Sequence, residues 1–384
     1  MDPREAVDQQ RLVVVCGPGG VGKTTTSAAF GLAAARRGRK ALVITIDPAK
    51  RLGEALGEEG LGNEPRQVPP EIIDPSGKLP GELWALMLNQ EETADALIRR
   101  SAADEESAQR VLENRIYRVL AGALASTEYM AVERLYHLYS GGDFDLCVLD
   151  TPPSKNALDF LDAPQWAARV LDKRIIHWFL RTAGRHAEDE EGLAAALMVR
   201  TAMIVADLLG RLLGREFYEE LVEFFDAFAE ISGHLKDHSE EVDALLRKPS
   251  TTYFVACSPE QGAIEESIRM ARALRQRGLG FGGFVVNRVE YPVSPPDEES
   301  LEQLGRQAGG KGARFARVKE ALAEIWQEQH AIKARDEAAI QHLHYNAGRG
   351  VSIHRVPRLG DDLTGIMDLD RFAACLVEET VNAD

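Results

Sequence analysis

The segment LVVVCGPGGVGKTT, residues 12–25, decides the fold of this chain. The apolar run at 12–16 is typical of a buried strand, and the glycine-rich turn after it leads into an alanine-rich helical pattern that reaches about Arg37. A strand, a glycine-rich loop and a helix in this order form a βα unit whose helix N-terminus binds anions. We therefore predict an α/β protein with a phosphate site beside its first strand.

The loop matches G-x-x-x-x-G-K-[ST], the P-loop pattern of nucleotide-binding proteins. Glycines let the backbone curl so that successive N–H groups point at a phosphate. Lys23 is predicted to reach the β- and γ-phosphates as a catalytic residue, and the Thr24 hydroxyl to hold Mg²⁺. The predicted nucleotide-binding residues of the loop are Gly17, Gly19, Gly20, Val21, Gly22, Lys23, Thr24 and Thr25.

Composition narrows the class of protein. The 384 residues include 45 Lys and Arg against 61 Asp and Glu, a net charge of -16 that argues against a nucleic-acid partner. No apolar run approaches the roughly 18 residues of a membrane span, and the amino-terminal run is too short for a signal peptide. We expect a cytoplasmic protein that does not itself cross a membrane.

Further apolar runs predict a mostly parallel sheet with helices on both faces. They are ALVITI (41–46), DLCVLD (145–150), TYFVAC (252–257), GFVVN (283–287) and SIHRV (352–356). Long gaps between them hold helical patterns, at about 83–139, 166–180, 193–213 and 217–235. We predict a single domain, residues 1–384, with an α-helical subdomain inserted at about 83–140 and 165–248.

The second and third runs end in carboxylates. Asp47 opens the segment DPAKRLGEAL, and Asp150 opens DTPPS. The carboxyl ends of parallel strands meet at the edge where open α/β sheets bind ligands. We predict that Thr24, Asp47 and Asp150 hold Mg²⁺, that Asp150 is catalytic, and that the loop after it senses the γ-phosphate.

These motifs, in this order, make the chain similar to the ArsA/Get family of P-loop ATPases, which comprises the arsenite-pump ATPase and the tail-anchored-protein targeting ATPase. The resemblance extends to Pro259-Glu260, to Asn287 and to VPRL (356–359), each after a later strand, and so spans nearly the whole chain. It implies an ATP hydrolase that uses ATP and Mg²⁺. It also implies a homodimer, or a heterodimer with a paralogue, whose arrangement follows the nucleotide state.

The resemblance assigns roles to residues outside the P-loop. The Asn287 amide would read adenine, while Pro357 and Arg358 would lie in the loop that covers the ring. Glu54, at the position of an aspartate in the family's switch I, would orient the attacking water. A strand-end turn residue and a surface-helix glutamate are the respective alternatives.

The chain departs from the family at one loop position. Pro18 stands where the family has a lysine that crosses the dimer to the partner's phosphates, and proline supplies no charge. Lys50 and Arg51, in the switch I segment, are candidates to replace it.

Zinc and metalloid sites are not expected. Cys16, Cys147, Cys257 and Cys375 lie far apart without a C-x-x-C pair, and they are predicted to be buried apolar residues. His234 and His238 have the i, i+4 spacing of helical metal ligands, but charged neighbours favour a solvated face. His342 and His344 are interpreted in the same way.

The leading hypothesis is an ATP-driven dimeric switch whose helical subdomain binds hydrophobic or membrane-protein clients. An apolar stripe between Phe217 and Ile231 and the cluster Trp178, Phe179 and Leu180 would line a client site, or would pack in the core. The alternative is the energising ATPase subunit of an anion efflux system, such as one for arsenite, with a membrane partner. A partition or positioning ATPase ranks last, because residues 367–384 lack a basic amphipathic tail.

Overall fold

The computed structural model describes residues 1–46, 51–57, 60–74, 76–118, 127–151, 165, 180, 214–291, 297, 313–359 and 365–377. In this part of the chain, eight strands form one sheet in the order β3-β4-β2-β5-β1-β6-β7-β8. All neighbours are parallel except β3 and β4. The strands are β1 Leu12–Cys16, β2 Lys40–Thr45, β3 Arg66–Gln67, β4 Glu82–Met87, β5 Leu146–Asp150, β6 Thr251–Cys257, β7 Phe281–Val289 and β8 Ser352–Pro357.

The sheet confirms the predicted α/β class and all six predicted strands, but the helix expected from residue 83 is wrong at its start. Residues 82–87 form β4, which pairs with β2 from Lys40↔Glu82 to Thr45↔Met87. Its side chains enter the apolar cores on both faces of the sheet, so the run shows no strict alternation. Periodicity alone does not separate a short run of this kind from a buried helix. Helix in this region begins at Gln90.

The described helices are, in chain order, α1 Pro3–Gln9, α2 Lys23–Arg36, α3 Arg51–Leu56, α4 Pro70–Ile73, α5 Gln90–Ser101, α6 Glu105–Leu112, α7 Thr127–Gly141, α8 Arg215–Leu246, α9 Gln261–Gln276, α10 Ala313–Ala347 and α11 Ile366–Val377. The helical pattern at 217–235 is confirmed within α8. The patterns at 166–180 and 193–213 lie outside the described residues, apart from the buried helical Leu180.

Alternating side chains of β1 build two cores, one on each face of the sheet. Leu12, Val14 and Cys16 join the first sheet cluster, with buried residues of α7, α9, α10 and the carboxyl end of α8. Val13 and Val15 join the second sheet cluster, with α2, α3 and α11. Helices therefore cover both faces, as the apolar strands predict.

A third core, the helical cluster, lies among α5, α6, α7 and α8. Its buried residues are Ala94, Leu97, Ile98, Val111, Ile116, Tyr117, Tyr129, Met130, Phe224, Ala227, Ile231 and Leu235. Most of the apolar stripe of α8 packs here, because Phe224 and Ile231 are buried and Phe225 and Phe228 lie against them. Phe217, 39% exposed, lies outside this packing. Among the described helices, none has the length and apolarity to cross a bilayer.

Candidate functional site

The P-loop lies at the centre of the sheet, between the carboxyl end of β1 and the first turn of α2. β1 runs between β5 and β6, so the strands that carry the predicted site residues flank it on both sides. In open α/β sheets, ligands bind where the strand order reverses, outside the carboxyl ends. The topology therefore places the loop in the position that such a site requires.

At two positions of the loop, only glycine fits. Neighbouring atoms lie too close for a Cβ, and the backbone has a positive φ that other residues rarely adopt. Gly17 has φ +148°, and a Cβ there would collide with the Ala256 carbonyl. Gly22, in the left-handed region at φ +93°, would direct a Cβ into the Asn287 amide. Larger residues at either position would strain the backbone and displace β6 or β7.

Lys23 is held inside the loop. Its side chain is 6% exposed, and its ammonium donates a hydrogen bond of 2.9 Å to the Pro18 carbonyl. The cation thus lies where a P-loop binds phosphate oxygens. Pro18 itself is buried.

Asp150 lies beneath the first turn of α2, 1% exposed. Its Oδ2 accepts from the Thr24 hydroxyl at 2.7 Å and from the Thr45 hydroxyl at 2.9 Å, and Ser27 donates to Oδ1 at 3.4 Å. Thr24 and Asp150, both predicted to hold Mg²⁺, are therefore in direct contact, and their metal role stays a prediction. Sequence reasoning missed Thr45 and Ser27. A polar residue ending an apolar strand, and a serine one helical turn after Thr24, were the available signals.

The switch I segment is described in part. Asp47 and Lys50 lie outside the described residues, as does the side chain of Arg51. Glu54 lies exposed on α3, which packs into the second sheet cluster through Leu52 and Leu56. Its role toward water stays a prediction.

Asn287 supports the P-loop. The side chain is 4% exposed, its Nδ2 donates to the Val21 carbonyl at 3.0 Å, and its Oδ1 accepts from the Arg288 amide at 2.8 Å. The side-chain amide of Asn287 has two N–H donors and an oxygen with two lone pairs. The two bonds use one N–H and one lone pair, so one of each is left for a ligand. The structure brings Asn287 to the P-loop, while its contact with adenine stays a prediction.

The loop predicted to begin at Val356 begins later, because Pro357 is still the last residue of β8 and Arg358 follows it at the same edge of the sheet. Pro357 pairs with Val289, two residues beyond Asn287. The Arg358 backbone N–H donates to the Val289 carbonyl at 3.1 Å, and its guanidinium contacts Glu290 at 2.5 Å. The end of β8 is thus fastened beside Asn287.

In the described part of the chain, the cysteines and histidines do not come together in one site. Cys16, Cys147 and Cys257 are buried on separate strands, and the described residues hold no group of three or more His, Cys, Asp or Glu that suits a metal ion. His234 is exposed, whereas His238 lies 3.1 Å from the buried carboxylate of Glu133. His342 contacts Glu265 at 2.9 Å, and His344 is exposed.

Burial also determines thiol reactivity. It raises the pKa of Cys16, Cys147 and Cys257 to about 12 each. A thiol with such a pKa is about 0.01% thiolate at pH 8, and the thiolate is the reactive form. We expect iodoacetamide at pH 8 to label Cys375, which is half-buried, and to label the other three after unfolding in guanidinium. Peptide mass spectrometry checks this, and rapid native labelling of Cys147 would contradict it.

Comparisons with known proteins agree with the motifs. A family model described as anion-transporting ATPase matches residues 10–304. The chain is 21% identical to an ATPase ASNA1 homolog of Plasmodium falciparum, over 95% of this chain and 86% of that protein. It is 24% identical to the ATPase get3 of Pyrenophora tritici-repentis, over 74% of this chain and 76% of that protein. It is 26% identical to the ATPase ARSA1 of Chlamydomonas reinhardtii, over 75% of this chain and 36% of that protein.

Proposed function

Because the chain belongs to the anion-transporting ATPase family and is an ATP hydrolase, we propose that it works in the cytoplasm as a Mg²⁺-dependent dimeric switch. The observation that carries the proposal is the hydrogen bond between Thr24 and Asp150 beneath the P-loop, with Thr45 as a second donor to the same oxygen. Hard oxygen donors in this arrangement support a Mg²⁺ site beside the bound nucleotide.

The donor set fits Mg²⁺, which prefers hydroxyl, carboxylate and water oxygens over nitrogen and sulfur. Thr24 would bind the ion directly, and Asp150 and Asp47 would hold its water shell. When bound, the ion neutralises charge on the β- and γ-phosphate oxygens. Thr45 and Ser27 orient the Asp150 carboxylate, so they position this site without touching the nucleotide.

The protein groups then act on the nucleotide. Lys23 exchanges its bond to the Pro18 carbonyl for phosphate oxygens and stabilises charge in the transition state. Asn287 donates to and accepts from adenine with its remaining capacity, and the end of β8 at Pro357 and Arg358 covers the ring. Glu54 accepts a hydrogen bond from the attacking water and aligns it with the γ-phosphate.

Glu54→Gln tests the water-orienting role. The amide keeps the size of the side chain and loses a carboxylate acceptor, so we expect single-turnover hydrolysis to slow about tenfold while ATP affinity is unchanged. Quench-flow with labelled ATP measures the rate. Glu71→Gln, on the exposed first turn of α4, is the matched control. An unchanged single-turnover rate in Glu54→Gln would assign Glu54 to the surface.

The family resemblance supports the proposed dimer. Pro18 stands in place of the family's lysine that crosses to the partner's phosphates, and we propose that Lys50 or Arg51 supplies this positive charge instead. We expect AMP-PNP and Mg²⁺ to raise the mass measured by light scattering from that of one chain to that of two. Lys23→Ala, which binds phosphates poorly, should stay at its starting mass. A wild-type mass that does not respond to the nucleotide would remove the switch from the proposal.

We propose that the helical cluster is the core of the inserted subdomain and that the subdomain binds a hydrophobic client. Phe217 on α8 supports this in part, because it is exposed beside a stripe that packs inward. Energising an anion efflux system is the second candidate, favoured by the description of the matching family model. The burial of three cysteines on separate strands argues against a soft metalloid as the anion.

A partition or positioning role remains the least supported. Leu369, Phe372 and Leu376 bury the apolar face of α11 in the second sheet cluster. That face is therefore covered by the protein's own core, and the described part of α11 offers no amphipathic surface to a membrane.

A further inference from the structure

The connection between α3 and β3 is tied to the helical cluster by a buried arginine. The Asn63 carbonyl accepts from both Nε and Nη2 of Arg134, at 3.2 and 2.8 Å. Arg134 lies on α7 and is 6% exposed. Its carboxylate contact, Glu64 at 2.9 Å, is itself 85% exposed. The guanidinium is therefore buried chiefly to hold a backbone carbonyl.

The side chain of Asn63 extends the connection to a second helix. Its Oδ1 accepts from the Asn89 backbone N–H and from the Thr93 hydroxyl, each at 3.1 Å. Asn89 caps the N-terminus of α5. One buried residue that follows α3 thus binds both α5 and α7.

Hydrogen bonds also connect the segment next to Asn63 with the P-loop. Leu88, next to Asn89, donates its backbone N–H to the Thr45 carbonyl at 3.0 Å. The Thr45 hydroxyl donates to Asp150, which also accepts from Thr24. A contiguous route therefore leads from the residues that hold Mg²⁺ to α5 and α7.

Within the helical cluster, the neighbour of Arg134 carries the connection onward. Glu133 is completely buried, and its carboxylate contacts Arg100 of α5 at 2.7 Å and His238 of α8 at 3.1 Å. A displacement of α7 therefore acts on α5 through the ion pair between Glu133 and Arg100, and on α8 through the contact with His238. Misalignment of a buried carboxylate in a low-dielectric interior is costly.

We propose that Arg134 is a positioning residue that transmits the nucleotide state from switch I to the helical cluster. The inference rests on the proposed function, since it requires a nucleotide-dependent movement of α3. A buried charge is costly to desolvate, and an apolar residue would fill the same space at lower cost. The guanidinium instead donates two hydrogen bonds to one main-chain carbonyl, and these bonds are either formed or lost as a pair. Such a contact suits an element that changes between two states.

Hydrogen exchange with and without AMP-PNP and Mg²⁺ tests the inference in the full-length protein. Peptides from the P-loop report nucleotide binding, and peptides from α5 and α7 report the transmitted response. We compare the wild type with two variants. Arg134→Met removes both hydrogen bonds to the Asn63 carbonyl, and Arg134→Lys keeps the positive charge. Arg110→Met is the control, because Arg110 of α6 contacts Glu230 of α8 on the exposed side of these helices and makes no bond to Asn63.

In Arg134→Met, we expect P-loop protection to remain while the response of α5 and α7 falls about threefold or more. Arg134→Lys should be intermediate, and Arg110→Met should resemble the wild type. An undiminished α5 and α7 response in a folded Arg134→Met would overturn the inference and leave the proposed function standing. Absence of P-loop protection in the wild type would overturn both.

Asn63→Ala provides a second test if Arg134→Met does not fold. It keeps the bonds between the guanidinium and the carbonyl and removes the bonds to Asn89 and Thr93. We expect a weaker α5 response with P-loop protection retained. An α5 response equal to that of the wild type would contradict the claim that Asn63 couples α3 to α5.

Discussion

Replacing Lys23 with alanine is expected to lower the rate constant of ATP hydrolysis about 1000-fold, the largest effect of any substitution considered. The ammonium lies buried within the P-loop, held by the Pro18 carbonyl. We propose that in this position it faces the phosphate oxygens on which negative charge develops during transfer. Alanine supplies no donor and leaves a gap that water fills, so the stabilisation is lost in the transition state. Steady-state phosphate release at saturating ATP and Mg²⁺ measures the effect.

Lys248→Ala is the matched control for this measurement. Lys248 precedes β6 at the opposite edge of the sheet, over the ring of Tyr139. The same change of residue type at that position should leave turnover at the wild-type level. Hydrolysis by Lys23→Ala at a rate close to that of the wild type would show that chemistry does not occur at this loop.

Asp150→Asn is expected to lower Mg²⁺-dependent turnover about 100-fold. The substitution conserves shape. The hydroxyls of Thr24 and Thr45 can rotate to accept from an amide nitrogen in place of Oδ2, while Ser27 still donates to Oδ1, so the fold should persist. The substitution removes the negative charge that we propose holds the water shell of Mg²⁺. Raising the Mg²⁺ concentration should restore part of the rate, because the loss lies in metal binding.

Asp145→Asn controls for the same change of charge at the opposite end of β5. Asp145 immediately precedes β5 at its amino end, where its carboxylate accepts from the Lys40 backbone N–H at 2.8 Å. This variant should retain wild-type turnover. A rate for Asp150→Asn that equals the wild-type rate at all Mg²⁺ concentrations would exclude Asp150 from the metal site.

The central part of the fold could be predicted because local chemistry determines it. The run at 12–16 has to be buried, the glycines that follow accept conformations closed to other residues, and Lys23 and Thr24 occupy fixed places in the motif. Asp150 could be placed because parallel strands bring their carboxyl ends together. The P-loop residues needed no knowledge of distant parts of the chain, and Asp150 needed only the expectation of a parallel sheet.

Features that depend on tertiary contacts escaped prediction. Glu82–Met87 is a strand because β2 and the cores on both faces of the sheet are available to it, and its own pattern is ambiguous. Thr45 and Ser27 are ordinary polar residues until the fold directs them at Asp150.

Arg134 shows the same limit most clearly. In sequence it is one of many charged residues on a helix, with no motif around it. Its burial follows from the packing of α5 and α7 against the connection after α3, 71 residues earlier in the chain. Asn287 is a mixed case, because the resemblance directed it to adenine while the structure first shows it supporting the P-loop.

Phosphate release from ATP by the wild-type protein, measured while Mg²⁺ is titrated from EDTA-treated solution to excess, tests the central claim most directly. That claim is that the P-loop and Asp150 form one Mg²⁺-dependent ATP-hydrolysing site. The account predicts a rate near background in EDTA that rises with Mg²⁺ to a plateau, and no such rise in Lys23→Ala. A plateau rate already present in EDTA, or an equal rise in Lys23→Ala, would contradict it.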